Sequence, residues 1–532
     1  MIRNPILPGF NPDPSICRAG DDYFIATSTF EWYPGVQIHR SRDLVNWDLA
    51  CRPLDRASQL DMRGNPDSGG IWAPCLSHAD GKFWLVYTDV KRLDGNFKDA
   101  HNYIVTAPSI DGPWSDPVHV SSHGFDPSLF HDDDGRKWYL VLQWNHISDS
   151  VGGAPKHPAF DGILLQEWSE ETGLIGKPQK IFAGSPHGLT EGPHLYKRDG
   201  WYYMTVAEGG TGYDHAVTMA RSRTITGPYE MHPDTHLITA KDAPDNPLQR
   251  AGHGQIVETP EGEVYHTHLC SRPLPGHYSP LGRESAIQKC EWRDDGWLYL
   301  AENAPLPSLD VPSPVNASPR PPQRVDRDFT GSELPREFQW LRTPYPERLF
   351  SLTGRSLRLV GRESVGSWYE QSLVARRQEH LSYRAETTVT DFDPDTYQQA
   401  AGLTTYYNRH KFHFACVSWR EDLGRCLRIL SCPGDWPDGR LEFPGEVIAI
   451  EGGPVDLAVE VKGAEQRFFY RQSGNDWQPL GPPLNAAVIS DEGGRGEHGS
   501  FTGAFVGMLA FDTTGLARTA DFTRFSYAPE GT

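Results

Sequence analysis

Through the first three hundred residues, apolar and polar positions recur as one unit: a short start motif, a polar turn, then an aromatic run of strand length. The starts read Asn11-Pro12-Asp13-Pro14-Ser15-Ile16, Ile71-Trp72-Ala73-Pro74-Cys75-Leu76, Phe125-Asp126-Pro127-Ser128-Leu129, Thr190-Glu191-Gly192-Pro193-His194-Leu195 and Arg250-Ala251-Gly252-His253-Gly254-Gln255. Each leads into a glycine turn and an aromatic segment: Gly20-Asp21-Asp22-Tyr23-Phe24, Gly81-Lys82-Phe83-Trp84, Gly135-Arg136-Lys137-Trp138-Tyr139, Gly200-Trp201-Tyr202-Tyr203 and Gly262-Glu263-Val264-Tyr265. A unit of strands and turns repeating every fifty to sixty-five residues, roughly, is the signature of a radial repeat fold with loop insertions. It predicts a five-bladed β-propeller.

Propeller blades are set radially, with one strand of each lining the central channel, so equivalent positions converge on the axis. If the start motif opens the innermost strand, Asp13, Asp126 and Glu191 share one mouth of the channel with Trp72 and His253. Three carboxylates facing one small space repel and raise one another's pKa, an arrangement that serves chemistry rather than stability. The competing reading is of ordinary turn carboxylates, because Asp before Pro is common in loops.

Beyond about residue 327 the pattern changes to alternating runs, such as Ser356-Leu357-Arg358-Leu359-Val360, Phe412-His413-Phe414-Ala415-Cys416-Val417 and Val455-Asp456-Leu457-Ala458-Val459-Glu460-Val461. These read as strands with one buried face, and together they predict a β-sandwich of jelly-roll type. Gly499-Ser500-Phe501-Thr502-Gly503-Ala504-Phe505-Val506-Gly507 reads as a late aromatic strand near its edge. Prolines cluster between the two patterns, at Val311-Pro312-Ser313-Pro314 and Ser318-Pro319-Arg320-Pro321-Pro322, as in an extended, stiff connector. The expected division is a propeller over 1–310, a linker over 311–326 and a sandwich over 327–532.

Composition agrees with an all-β chain: 52 Gly and 44 Pro supply turns, and 11% aromatic residues supply strands. The net charge of −20 argues against nucleic acid, anionic membranes and polyanionic substrates, whose binding needs Lys and Arg, and for a neutral substrate. The eight cysteines show no CxxC spacing, so neither a zinc site nor a disulfide scaffold is signalled. Met1-Ile2-Arg3-Asn4-Pro5 opens without an apolar leader, and no stretch approaches a membrane span, so a cytoplasmic location is expected. The sequon at Asn316-Ala317-Ser318 then carries no weight.

Four segments in order, Asn4 to Ile16, Ser28-Thr29-Phe30-Glu31-Trp32-Tyr33-Pro34-Gly35-Val36, Thr190-Glu191-Gly192-Pro193 and Leu281-Gly282-Arg283-Glu284-Ser285-Ala286-Ile287-Gln288, resemble the β-xylosidases of glycoside hydrolase family 43. The resemblance spans the chain and implies the same order, a propeller then a sandwich. It also implies roles. Inverting glycosidases use one carboxylate to activate water and one carboxylic acid to protonate the departing oxygen, about 6.5–9.5 Å apart. By resemblance Asp13 is the base and Glu191 the acid, while Asp126 raises the pKa of the acid and orients it.

The resemblance further implies Phe30 and Trp72 as an aromatic wall and Arg283 as a donor to sugar hydroxyls. His253 would lie beneath the sugar, either bonded within the carboxylate cluster or beside a calcium ion held largely by water; a single histidine is weak evidence for calcium, which prefers several oxygens. The sandwich would lend an aromatic side chain, Phe501 or the competing Phe505, to close the pocket and favour removal of single xylose units from the non-reducing ends of xylooligosaccharides. No other cofactor is called for, and relatives are often dimers or tetramers.

Three rivals bear on the function. An α-L-arabinofuranosidase, or an enzyme with both activities, differs mainly in how the pocket presents hydroxyls. A carbohydrate-binding propeller without catalysis would have no use for three converging carboxylates. A sialidase-like propeller is prompted only by Ser109-Ile110-Asp111-Gly112-Pro113-Trp114, without the arginine cluster that an acidic sugar needs.

Overall fold

The computed structural model describes residues 1–147, 158–302, 304–472, 474–494 and 500–531. Among these residues there is no α-helix, only two short 3-10 turns, Pro346–Arg348 and Ala486–Val488. The N-terminal half folds as the predicted propeller. Blade I is ordered Ser15–Ala19, Asp22–Thr27, Gln37–Ser41, Asp48–Cys51 from inside to outside, and blades II, III and IV begin with the inner strands Gly70–Ala79, Ser128–His131 and Glu191–Arg198. In blade V the inner position is split between Gln249–Gly252 and Ile256–Glu258, both paired with Val264–Ser271.

Local chemistry explains the hairpins. Asp80-Gly81 and Asp199-Gly200 join strands across two residues, and all four have positive φ, between 51° and 74°. That is the type I′ turn, whose twist matches the flanking strands and which favours Asp-Gly. Around the axis the blades are tied by side chains: Ser15 Oγ accepts from the Leu76 amide at 2.8 Å and donates to Gln255 Oε1 at 2.6 Å, linking blades I, II and V. The ring closes where the N-terminal chain runs beside blade V. There Leu7 bridges Ser285, Ile2–Arg3 pairs with Asp310–Val311, and the buried Asn4 amide group bonds both the N–H and the C=O of Ile287.

The C-terminal half is a sandwich of two eight-stranded sheets. In one, the central strand Thr519–Pro529 lies beside Ser382–Val389. The other runs from Ile448–Ala449 through Gly424–Pro433, Lys411–Arg420, Gln399–Asn408, Phe505–Asp512, Ser372–Arg377 and Phe338–Leu341, and its last strand, Trp32–Tyr33, comes from the propeller. The proline-rich connector packs along blade I, where Arg320 forms two bonds to Asp48, at 2.6 and 2.7 Å.

Two expectations from the pattern change here. The strand Lys411–Arg420 is buried on both faces over its first eight residues, not on one. Ala415 and Val417 enter the core between the sheets, whereas Phe412, Phe414 and Cys416 enter a second core shared with Phe10, Phe30 and Trp32 of the propeller. The propeller thus covers the outer face of this sheet. The aromatic segment near residue 500 is also not an edge strand: its strand starts at Phe505 and lies between two neighbours inside the sheet. Phe501, Thr502 and Ala504 stay outside it because their amides bond Ser68 Oγ, the Tyr407 hydroxyl and the Pro280 carbonyl instead of a strand. Gly499 lies outside the described residues.

Phe505 is fully buried, stacked on Trp32 at 3.6 Å between ring centroids and 11° between planes, and edge-on to Phe10 at 6.0 Å. Large buried aromatics truncated to alanine cost about 3–5 kcal/mol. Phe505→Ala should therefore lower the unfolding free energy by about that amount in a denaturant titration; a loss under about 1 kcal/mol would mean that the two domains do not share one core.

Candidate active site

The start motifs do bring their chemistry to one place. Asp13 and Asp126 occupy left-handed backbone, both with φ 56°, and His253 has φ 36°. Asp tolerates that region better than most residues, and strained positions held by their surroundings are typical of functional sites. Glu191 is instead the first residue of its strand. All eight residues singled out from sequence, Asp13, Phe30, Trp72, Asp126, Glu191, His253, Arg283 and Phe501, line one cavity of about 230 Å3. That is smaller than the roughly 300–1,000 Å3 of sites for drug-sized ligands, and is of a size for one or two sugar rings.

Asp13 is the most heavily bonded of the carboxyls. Its Oδ2 accepts from Ser28 Oγ at 2.6 Å, and its Oδ1 takes Arg283 Nη1 at 2.7 Å with His253 Nδ1 at 3.5 Å. Burial alone would raise its pKa, but Arg283, His253 and Ser28 together outweigh burial and hold it well below the ordinary carboxylate range. Glu191 has the opposite balance. Burial, then the negative charge of Asp13, pushes its pKa up to about 8 against the pull of Arg283. Asp126 is raised well above its usual value, by burial first and by the charges of Glu191 and Asp13, with His253 opposing.

The repulsion between Asp126 and Glu191 is mutual and favours a proton on one of the two, with the charge of Asp13 acting on both. His253 is raised despite burial, through its bond to Asp13 and the nearby Asp126. Its ring packs against Gly192, where a Cβ would meet Nε2 at 2.5 Å, so the glycine after Glu191 makes room for the histidine of the next blade.

The aromatic wall joins both domains. Phe30, Trp72 and Phe501 meet pairwise, with centroids 6.0, 6.4 and 5.8 Å apart. Phe501 lies in the cavity wall, whereas Phe505 is buried in the interdomain core. Arg283 spans both domains, its Nη2 donating to the Phe501 carbonyl at 3.0 Å and its guanidinium lying 5.4 Å from the Phe30 centroid. Its Nε–H is buried without an acceptor among the described residues.

Several residues escaped the repeat pattern. Lys98, Trp144, Phe160 and Thr211 also line the cavity, and Glu208 anchors the residue before Glu191 from behind. Glu208 is fully buried and accepts from Thr190 Oγ1 at 2.8 Å, Thr218 Oγ1 at 2.6 Å and the Ser185 amide at 2.7 Å, so the residue before Glu191 is anchored. These sit on second and third strands and on loops, where no motif repeats from blade to blade. For calcium, His253 offers one imidazole beside a carboxylate already bonded to Arg283. Among the described residues no group of three or more His, Cys, Asp or Glu is arranged to hold a metal. The protein groups here do not by themselves fit the six to eight or so oxygens that calcium takes.

A small cavity with aromatic walls and two carboxyls of opposed protonation is the site of a glycoside hydrolase. Residues 2–298 match the family model for glycosyl hydrolases family 43, and residues 326–528 match the β-xylosidase C-terminal concanavalin A-like domain. The chain belongs to glycoside hydrolase family 43. It is 55% identical to xylosidase/arabinosidase 43B of Humicola insolens, over 99% of this chain and 98% of that protein, and 47% identical to a β-xylosidase of Bacillus subtilis over 99% of both. Among solved structures it is similar to xylan β-1,4-xylosidase from Bacillus halodurans C-125, with a TM-score of 0.94 and 47% identity over 99% of this chain and 100% of the other.

The raised Glu191 pKa has a measurable sign. An acid that must be protonated is competent below its pKa and lost above it, and kcat/KM reports the free enzyme. The profile should fall above about pH 8. In Asp13→Asn, with the repelling charge gone, the Glu191 carboxyl should titrate lower by carbon-detected NMR; an unchanged or higher value would refute the charge assignment.

Proposed function

We propose that this chain is an inverting, exo-acting β-D-xylosidase that releases xylose from the non-reducing ends of xylooligosaccharides. The observation that carries this reading is the opposite displacement of two buried carboxyls in one sugar-sized pocket, Asp13 ionised and Glu191 protonated near neutral pH. An inverting hydrolysis needs that pair at once. Asp13 takes a proton from a water molecule whose oxygen attacks the anomeric carbon. The bond from that carbon to the glycosidic oxygen breaks, its electrons go to the oxygen, and the oxygen takes the Glu191 proton. The products are α-xylose and a chain one sugar shorter, and proton exchange with solvent resets both carboxyls.

The remaining wall residues are assigned to binding. Phe30, Trp72 and Phe501 present apolar faces to the C–H groups of the sugar, and the guanidinium of Arg283, which lines the cavity, is assigned to a hydroxyl. Asp126 and the imidazole of His253 complete the polar floor. The cap formed by Phe501 supports cleavage at a chain end over cleavage within a polymer. A second activity on α-L-arabinofuranosides is also proposed, because the similar Humicola protein is named for both sugars.

Proton NMR on xylobiose should show α-xylose before mutarotation mixes the anomers; β-xylose first would overturn the carboxyl assignment, and no turnover would overturn the substrate. General acid and base catalysis contribute about 100- to 10,000-fold, so Asp13→Ala and Glu191→Ala should each lose at least that much on xylobiose while remaining folded. Glu191→Ala should lose far less on 4-nitrophenyl β-xyloside, whose leaving group needs no proton. An equal loss on both substrates would exclude Glu191 as the acid.

A further inference from the structure

Ser68 holds two rings of the pocket wall at once. Its carbonyl accepts the Trp72 Nε1–H at 2.8 Å, and its hydroxyl oxygen accepts the Phe501 amide at 3.0 Å. These rings belong to different domains and meet edge to face at 83°. Ser68 does this from left-handed backbone, φ 59°, which a serine keeps only where its neighbours impose it.

The neighbours that impose it are ionisable and buried. The Ser68 amide donates to Glu31 Oε2 at 3.1 Å, and Glu31 is 1% exposed, placed in sequence between Phe30 and Trp32 of the interdomain core. Arg342 of the sandwich donates its amide to the Glu31 carbonyl at 2.9 Å, and its guanidinium bonds the Asn65 carbonyl at 2.8 Å and Asp67 Oδ1 at 2.7 Å. Arg409 takes the other oxygen of Asp67 at 2.9 Å. The turn at 65–68 is therefore gripped by sandwich arginines through Asp67 and by a propeller carboxyl through the amide of Ser68. Neither Glu31 nor Asp67 lines the cavity.

A buried carboxyl is costly to desolvate unless its hydrogen bonds repay the loss of water. Placing one here is understandable if its hydrogen bond is what the site needs. We propose that Glu31 is a positioning residue for substrate binding: through the Ser68 amide it fixes the turn from which Trp72 and Phe501 are held, so a group buried between the domains sets the width of the sugar pocket. This rests on the glycosidase reading above. Burial pushes the Glu31 carboxyl up to about 8, with Asp67 adding to the shift and Arg342 opposing it, so a glutamine is a close replacement near neutral pH.

The test compares Glu31→Gln, which keeps an oxygen for the Ser68 amide, with Glu31→Ala, which does not. On xylobiose, Glu31→Ala should raise KM roughly tenfold with kcat within about threefold of wild type, because Asp13 and Glu191 are untouched, and Glu31→Gln should restore KM. A purely structural role would lower the unfolding temperature without separating KM from kcat. Should Glu31→Ala fail to fold, Ser68→Ala, which loses only the hydroxyl to Phe501, should raise KM in the same direction. A wild-type KM in Glu31→Ala, equal damage in the glutamine variant, or a wild-type KM in Ser68→Ala where the first variant is unfolded overturns the proposal. If the wild type leaves xylobiose intact, only the xylosidase reading fails; the positioning is then read from near-ultraviolet circular dichroism. The contribution identified by difference against Trp72→Phe should weaken in Glu31→Ala and persist in Glu31→Gln, and its persistence in both overturns the proposal.

Discussion

The guanidinium of Arg283 donates in two directions, to the carboxylate of Asp13 in the propeller and to the carbonyl of Phe501 in the sandwich. That pair of bonds ties the ionised group of the site to the segment that closes it. Between buried groups the charge of the arginine is weakly screened, so it holds Asp13 ionised despite full burial. Each part depends on the other: the cap buries the pairing and strengthens it, and the arginine gives the cap carbonyl a hydrogen-bond donor that a free loop would lack. Arginine suits the position because its planar fork presents separate donors at fixed angles.

From this contact follows the division of protonation among the three carboxyls. One positive side chain stabilises one negative one, whereas burial raises the pKa of the other two carboxyls, Glu191 and Asp126. The site needs no catalytic group of exotic chemistry. Similar groups stand in environments different enough to hold Asp13 and Glu191 in opposite states, a device used in acid and base catalysis.

The sandwich is accordingly part of the pocket wall. Its second sheet takes its last strand, Trp32–Tyr33, from the propeller and buries its outer face against Phe10, Phe30 and Trp32. The same strip of chain thus carries a pocket wall residue, Phe30, a buried carboxyl, Glu31, and an interdomain strand. Further ion pairs, such as Arg250 with Asp491 at 2.7 Å, continue the fastening around the pocket, and the hydroxyl of Tyr407 joins Asp491 to the amide of Thr502. An interface built of an aromatic core and buried charge pairs is rigid in a way that a flexible tether could not provide, and a pocket wall shared between domains requires that rigidity.

What could be read from the chain alone was what repetition and alternation encode. Five start motifs and five glycine turns specify blades, and blade symmetry brings Asp13, Asp126, Glu191, Trp72 and His253 to one axis without any knowledge of contacts. Alternating runs beyond residue 327 specify a sandwich. Local patterns could not say which faces meet. The strand Lys411–Arg420 looks half-buried by its alternation yet is covered on both sides, because its second cover is a domain distant in sequence. For the same reason the Phe501 segment reads as an edge strand, although its amides are claimed by Ser68 and Tyr407. The charge states were likewise a tertiary matter: the residue types announced three carboxyls, but only their distances to Arg283 and their burial decided which one stays ionised. Periodicity is a property of the backbone's local geometry and survives in one dimension, whereas desolvation and interdomain bonds exist only once the chain has folded back on itself.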